Sequence, residues 1–299
     1  MKDLAIKDVS DTAFMVAVYR SMESDRSDAL FHDPLSATLA GERGRKIVES
    51  LAGGILRGRP LAVRSRIMPW MMALRTRIID DYILSSVAQG TDAVINLGAG
   101  LDTRPYRMAL PQSLHWLEVD QAHVIELKES RLSSEQPRCQ LERVKLDLTD
   151  LPRRGELFAH CQARFDRVLV LTEGVVPYLP IEAVAQLADD LKSRSSFRQW
   201  IVDYFSPEAL QYRKRDALAQ QMANAPFLFE PEDYFGFFRT HGWISAEVKY
   251  LWDEGQRLNR PMPLPLILKL GSALAGLLMP ARLEAQRKFM GYVLFEPAR

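Results

Sequence analysis

The chain has 299 residues, enough for one large or two ordinary domains, and 47% are hydrophobic against 26% charged, the balance of a globular chain with a sizeable core. Its 39 basic and 38 acidic side chains leave a net charge of +1, which argues against a dedicated nucleic-acid binder, whose surface is clearly basic. Two cysteines, Cys139 and Cys161, are too few for a disulfide scaffold, and the five histidines include no pair at metal-ligand spacing, so no metal site is expected.

The first ten residues lack the apolar core of a secretion signal. The most apolar stretch, Leu264 to Leu283, is broken by Pro265, Lys269, Pro280 and Arg282, and its longest uncharged run is too short to span a bilayer. The expectation is a cytoplasmic protein without stable membrane insertion.

Ser10 or Asp11 can cap a helix through about Glu23, with Ala13, Val16, Ala17 and Arg20 at helical spacing. Asp33-Pro34 opens a turn and a short helix from Leu35 to Ala40, which Gly41 is expected to stop. Gly53, Gly54, Gly58 and Pro60 then read as a loose connection that closes a helical N-terminal cap over residues 1–60. Leu61 to Ala88 is a basic amphipathic helix that Pro69 should kink or restart. Its arginines read either as solvated charges or, near the helix end, as a partner for a ligand carboxylate, which a guanidinium grips with two hydrogen bonds.

Ala93 to Asn96 reads as a short buried strand, Gly98-Ala99-Gly100 as a hard turn, and Asp102-Thr103 as the start of a helix. Such a cradle lets a ligand approach the backbone. A dinucleotide fold wants G-x-G-x-x-G, and Thr103 stands where the third glycine would be. The Asp102 carboxylate would also repel a pyrophosphate. A second strand, His115 to Val119, ends at Asp120, 22 residues past Gly98, where a carboxylate commonly chelates a ribose diol. An adenosine-bearing molecule other than a dinucleotide fits, and S-adenosylmethionine is one. A nicotinamide dehydrogenase stays open as the competing reading.

Further strands and helices alternate: helix 121–134, strand 140–146, helix 152–163, strand 167–171, helix 180–194 and strand 198–203. This β-α repeat implies a parallel sheet with helices on both faces and a ligand off the carboxyl ends of the strands. Asp120, Asp147, Glu173 and Asp203 all fall at those ends. Trp243 to Tyr250 and Met290 to Phe295 read as two more strands, the latter a candidate to enter the sheet antiparallel. Between them lies a helical insertion over 251–288, read either as core packing or as an apolar lid over a hydrophobic substrate. The whole chain reads as a single domain, with a cofactor-binding core over 61–250 and the last strand within 289–299.

The ordered blocks N-L-G-A-G-L-D-T-R (96–104), E-V-D (118–120) and T-E-G-V-V-P-Y-L (172–179) carry a resemblance. With them go T-A-F-M-V-A-V-Y-R-S-M-E-S (12–24), A-L-F-H-D-P-L-S-A-T-L-A-G (29–41), R-T-R-I-I-D (75–80) and F-M-G-Y-V-L-F-E (289–296). Over nearly its whole length the sequence resembles the leucine carboxyl methyltransferase family, most closely its bacterial branch of polyketide-tailoring O-methyltransferases. The resemblance implies an α/β class I methyltransferase fold, a Rossmann-like, mostly parallel seven-stranded sheet, and S-adenosylmethionine as cofactor. It further implies that Arg77 holds the cofactor carboxylate and that Gly98, Ala99 and Gly100 form its loop. Asp120 would bind the ribose, Asp147 and Leu148 the adenine, and Glu173 would face the methionine end. Tyr178 and Tyr204 would sit near the methyl-transfer pocket. The N-terminal and late segments follow the bacterial pattern rather than that of the eukaryotic members that methylate a protein C-terminus, which favours a small acid or phenol as substrate. No histidine is placed to act as a base. A protein that binds the cofactor without turnover, as a sensor or scaffold, is the alternative of a different class.

Overall fold

The computed structural model describes residues 9–55, 61–215, 224–265 and 280–298. Seven strands form one sheet in the order β3-β2-β1-β4-β5-β7-β6. They are β1 (Ala93–Leu97), β2 (His115–Asp120), β3 (Gln140–Lys145), β4 (Val168–Thr172), β5 (Phe197–Phe205), β6 (Trp243–Tyr250) and β7 (Met290–Pro297). The first five pair in parallel, whereas β7 lies antiparallel between β5 and β6. The order reverses between β1 and β4. At such a switch point the connections leave β1 and β4 toward opposite sides, which opens a crevice at their carboxyl ends.

Alternation along the strands divides the core in two. Ala93, Ile95 and Leu97 of β1 and Val168 and Val170 of β4 face one side, against Phe158 and Cys161 of α6 (Leu151–Arg164) and Val184, Leu187 and Leu191 of α7 (Ile181–Lys192). Val94, Leu169, Leu171 and Ile201 face the other, against Leu74, Ile78, Ile79, Tyr82 and Ile83 of α3 (Leu61–Ala88). Burial on both faces is why the central strands read as unbroken apolar runs. The remaining helices of the first five-strand unit are α4 (Arg104–Arg107) and α5 (Ala122–Arg131).

Two further helices, α1 (Val9–Ser24) and α2 (Ser36–Ile55), pack on each other through Phe14, Ala17, Leu39, Ala40, Ile47 and Leu51. Gly41 does interrupt α2, with φ 57° and ψ −158°, but the chain resumes helix immediately and continues to Ile55 instead of loosening. The reason is amphipathic: Ile47 and Leu51 carry the buried stripe onward, and tertiary packing outweighs the glycines at 53 and 54. Pro69 sits inside the continuous 28-residue helix, so α3 is not restarted there. Helices at Pro207–Arg215 (α8) and Tyr234–Thr240 were not expected from the sequence, whereas the helices Leu251–Arg257 and Pro280–Arg287 fall within the helical insertion expected over 251–288. Most of the apolar stretch read either as core packing or as a lid, residues 266–279, lies outside the described residues. No described helix is long and apolar enough to cross a membrane.

Candidate functional site

The turn after β1 is built by constraints that only glycine meets. Gly98 has φ 69° and Gly100 φ 47°, and a Cβ on Gly98 would overlap Val175 Cγ2 from the turn after β4. The N–H groups of Gly98 and Ala99 both donate to the Val119 carbonyl, at 2.8 and 3.1 Å. Gly100 N–H donates to Asp120 Oδ2 at 2.7 Å, and Gln121 N–H to Asp120 Oδ1 at 2.7 Å. The glycine turn and the end of β2 therefore form one rigid corner. Burial raises the Asp120 pKa, an effect that these two N–H groups oppose.

This corner opens into a cavity of about 670 Å³, within the usual range for small-molecule sites. Its wall includes Gly98, Ala99, Gly100, Asp120, Asp147, Leu148, Glu173 and Tyr178, eight of the ten residues expected at the site. Asp147 sits toward solvent, with Oδ1 accepting from Thr149 N–H at 2.9 Å and from its hydroxyl at 2.7 Å; those bonds lower its pKa. Tyr178, on the short turn Val176–Tyr178, packs edge-on against Phe227 with centroids 5.1 Å apart, and burial raises its hydroxyl pKa.

Two expected residues lie elsewhere. Arg77 is not in the cavity wall: its Nε donates to Asp81 Oδ1 at 2.8 Å and its Nη1 to the Leu30 carbonyl at 3.2 Å. Arg75 is in the wall instead. Two residues turn an α-helix through about 200°, so the two arginines of R-T-R must face opposite ways. Tyr204 likewise turns from the large cavity while Asp203 and Phe205 line it, as strand alternation requires. It packs against Tyr234, Phe235 and Tyr250 beside a separate 230 Å³ cavity, and burial pushes its hydroxyl up to about 12.

Behind the cavity wall runs an ion-pair chain that sequence reasoning missed. Arg104, 1% exposed, donates through Nε to Asp80 Oδ1 at 2.7 Å. Its Nη1 reaches Asp102 Oδ2 at 2.9 Å and Glu173 Oε2 at 2.6 Å. Arg75 Nε closes on the other Glu173 oxygen at 2.6 Å. Burial would raise the Glu173 carboxyl, but Arg104 and Arg75 outweigh it and hold the group at about 2. Asp102 is thus an internal counter-ion, with Asn96 Nδ2 donating to it at 2.8 Å, rather than a carboxylate free to meet a ligand. The signal in the sequence was the L-D-T-R end of the glycine motif with I-I-D on the preceding helix, but no local pattern joins them.

The ends of β1, β2 and β4 supply polar groups to the cavity wall. Met15, Met68, Met71, Trp70, Phe205, Phe227, Trp252 and Met290 supply much of the rest, and no histidine or lysine lines it among the described residues.

A family model described as "Leucine carboxyl methyltransferase" matches residues 13–192. A protein of Mycobacteroides abscessus named "Putative S-adenosyl-L-methionine-dependent methyltransferase" is 31% identical over 279 residues, covering 85% of this chain and 90% of its own. A Frankia alni protein whose name opens with the same words is 32% identical over 261 residues, with 85% and 88% covered. A solved structure of a "putative methyltransferase" from Thermobifida fusca shares the fold with a TM-score of 0.54 at 14% identity, covering 88% of this chain and 93% of that one. The sheet order with its antiparallel β7 is that of the class I methyltransferases, and the chain belongs to the leucine carboxyl methyltransferase family.

Proposed function

We propose that this chain is an S-adenosylmethionine-dependent O-methyltransferase acting on a carboxylate or phenolic hydroxyl of a small molecule, with polyketide-like secondary metabolites as the candidate class. One observation carries the reading. A glycine corner locked to Asp120 and the Arg75–Glu173 pair line one cavity together with many methionine and aromatic side chains.

The residues present fit that cofactor. Gly100 keeps the turn free of a side chain, and a Cβ there would sit 3.3 Å from Ala13 Cβ. Asp120 offers its carboxylate to a ribose diol. Asp147 and Leu148, in the same cavity wall, would take the adenine, Leu148 by packing and Asp147 by accepting from its amino group. Arg75 takes the role that the resemblance assigned to Arg77: its Nε is fixed by Glu173, which leaves the rest of the guanidinium for a carboxylate. When bound, the cofactor supplies a methyl group already activated on a sulfonium. The protein must then hold the nucleophile in line at roughly 3 Å, and positioning of that kind can contribute about 7–11 kcal/mol. The methionine- and tryptophan-rich wall excludes water and grips an apolar body, with methionine adapting to its shape.

The test is calorimetric titration with S-adenosylmethionine of wild type, Asp120→Ala, Arg75→Ala and Arg77→Ala. Affinity should fall about tenfold or more in the first two variants, the loss expected for a charge-assisted contact. It should stay within about threefold of wild type in Arg77→Ala. Equal losses in Arg75→Ala and Arg77→Ala would contradict the assignment.

A further inference from the structure

Five carboxylates line the cavity: Asp102, Asp120, Asp147, Glu173 and Asp203. Four are engaged within the protein. Asp102 is paired with Arg104, and Glu173 with Arg104 and Arg75. Asp120 holds two backbone N–H groups with its two oxygens, and Asp147 holds Thr149. Asp203 alone of the five is buried without an ion-pair partner within 4.0 Å among the described residues, whereas Asp120 and Asp147 are more exposed; its Oδ2 accepts from Gly174 N–H at 2.8 Å. It is 4% exposed, at the end of β5, next to the Glu173–Gly174 end of β4. It also lies in the wall shared by the large cavity and the 230 Å³ cavity.

The guanidiniums of this wall are engaged: Arg75 by Glu173 and, in the proposed complex, by the cofactor carboxylate, Arg20 by Asp33 at 3.0 Å, Arg287 by Asp253 at 2.8 Å, and Arg213 by the Ala225 carbonyl and the Phe227 ring. A substrate carboxylate entering here would meet a second carboxylate, which repels it. A hydroxyl would find an acceptor. We infer that Asp203 is the proton acceptor of the transfer, and that the methylated atom is the oxygen of a phenol or enol hydroxyl rather than of a carboxylate. This rests on the methyltransferase reading. The hydroxyl proton passes to the Asp203 oxygen that Gly174 does not hold. The substrate oxygen forms its bond to the methyl carbon as the carbon–sulfur bond breaks, and that electron pair stays on sulfur. The proton then leaves Asp203 for solvent.

The groups around Asp203 suit this role. Arg75 from α3 and Glu173 from β4 act on it with opposite sign, and burial, the largest effect, pushes its carboxyl up to about 6. It is therefore ionised at neutral pH but more basic than an ordinary aspartate. Tyr178, Tyr234 and Tyr292 also face it, and burial raises all three hydroxyls, so none competes as a base. Tyr234 hydroxyl donates to the Asp203 carbonyl at 2.7 Å, fixing the backbone.

The test uses 4-propylphenol and 4-propylbenzoate, matched in their apolar bodies, titrated calorimetrically into protein loaded with S-adenosylhomocysteine. Wild type should bind the phenol about tenfold more tightly at pH 8, and the preference should shrink toward pH 5 as Asp203 takes up a proton. In Asp203→Asn the ratio should be small and flat with pH, while S-adenosylmethionine still binds within about threefold of wild type. Asp203→Glu should restore the pH dependence. A preference for the benzoate, no preference, or a pH-independent ratio in wild type overturns the inference. So does loss of S-adenosylmethionine binding in Asp203→Asn, which would assign the carboxylate to the cofactor. Failure of wild type itself to bind S-adenosylmethionine removes the methyltransferase reading, and this inference with it.

Discussion

Asp203 and Glu173 are neighbours on adjacent strand ends, and burial acts on both, yet they titrate in opposite directions. Asp203 is raised to about 6, so the folded protein binds a proton more tightly than the unfolded chain. Its contribution to stability is present below the unfolded value, about 3.9, and is lost as pH rises through 6. Asp203→Asn should therefore be more stable than wild type at pH 8, by about 1–3 kcal/mol, with the difference gone near pH 4. Urea unfolding at the two pH values measures this; a variant less stable at pH 8 would mean that Asp203 is a structural anchor. Glu173 is held at about 2, so its contribution is present above the unfolded value and fades as pH falls toward 2. Glu173→Gln would remove the ion-pair partner of Arg75 and one of the three that hold Arg104, and should cost about 3–5 kcal/mol at pH 7, the usual penalty for breaking a buried pair from one side.

At the scale of elements, the glycine turn and the strand ends were legible because their signals are local. An apolar run, a G-x-G and an acid at a fixed distance need no knowledge of the rest of the chain. Side-chain direction was less legible. Whether Arg75 or Arg77 faces the ligand depends on the phase of α3, which Pro69 and a nearly continuous apolar face leave ambiguous. Tyr204 depends on strand phase, and one residue of offset sends it to the opposite face. The Arg104–Asp80–Glu173 chain joins three segments up to 93 residues apart, so no spacing announces it. The basicity of Asp203 depends on burial by strands and helices that follow it in sequence. The turn itself makes a sharp prediction. Gly98→Ala meets both a positive φ and Val175 Cγ2, so it should lose about 1–3 kcal/mol of stability. Val175→Ala in the same chain should recover the steric part only, as a double-mutant cycle would read. Full recovery would show that backbone conformation carries no cost there.

For the whole molecule, topology does the positioning. The sheet reverses between β1 and β4, and that crevice gathers the ends of β1, β2, β4 and β5 around one cavity. The antiparallel β7 brings Tyr292 to the same wall, and α1 covers it with Thr12, Ala13, Val16 and Arg20. A cavity assembled from so many distant segments should be stabilised as a unit by what fills it. S-adenosylmethionine is the ligand proposed to fill it, and calorimetric titration of the wild-type protein with that cofactor and, separately, with NADH tests this. Saturable one-to-one binding of S-adenosylmethionine and no heat of binding with NADH are expected. Binding of NADH in place of S-adenosylmethionine, or of neither, would contradict the proposal.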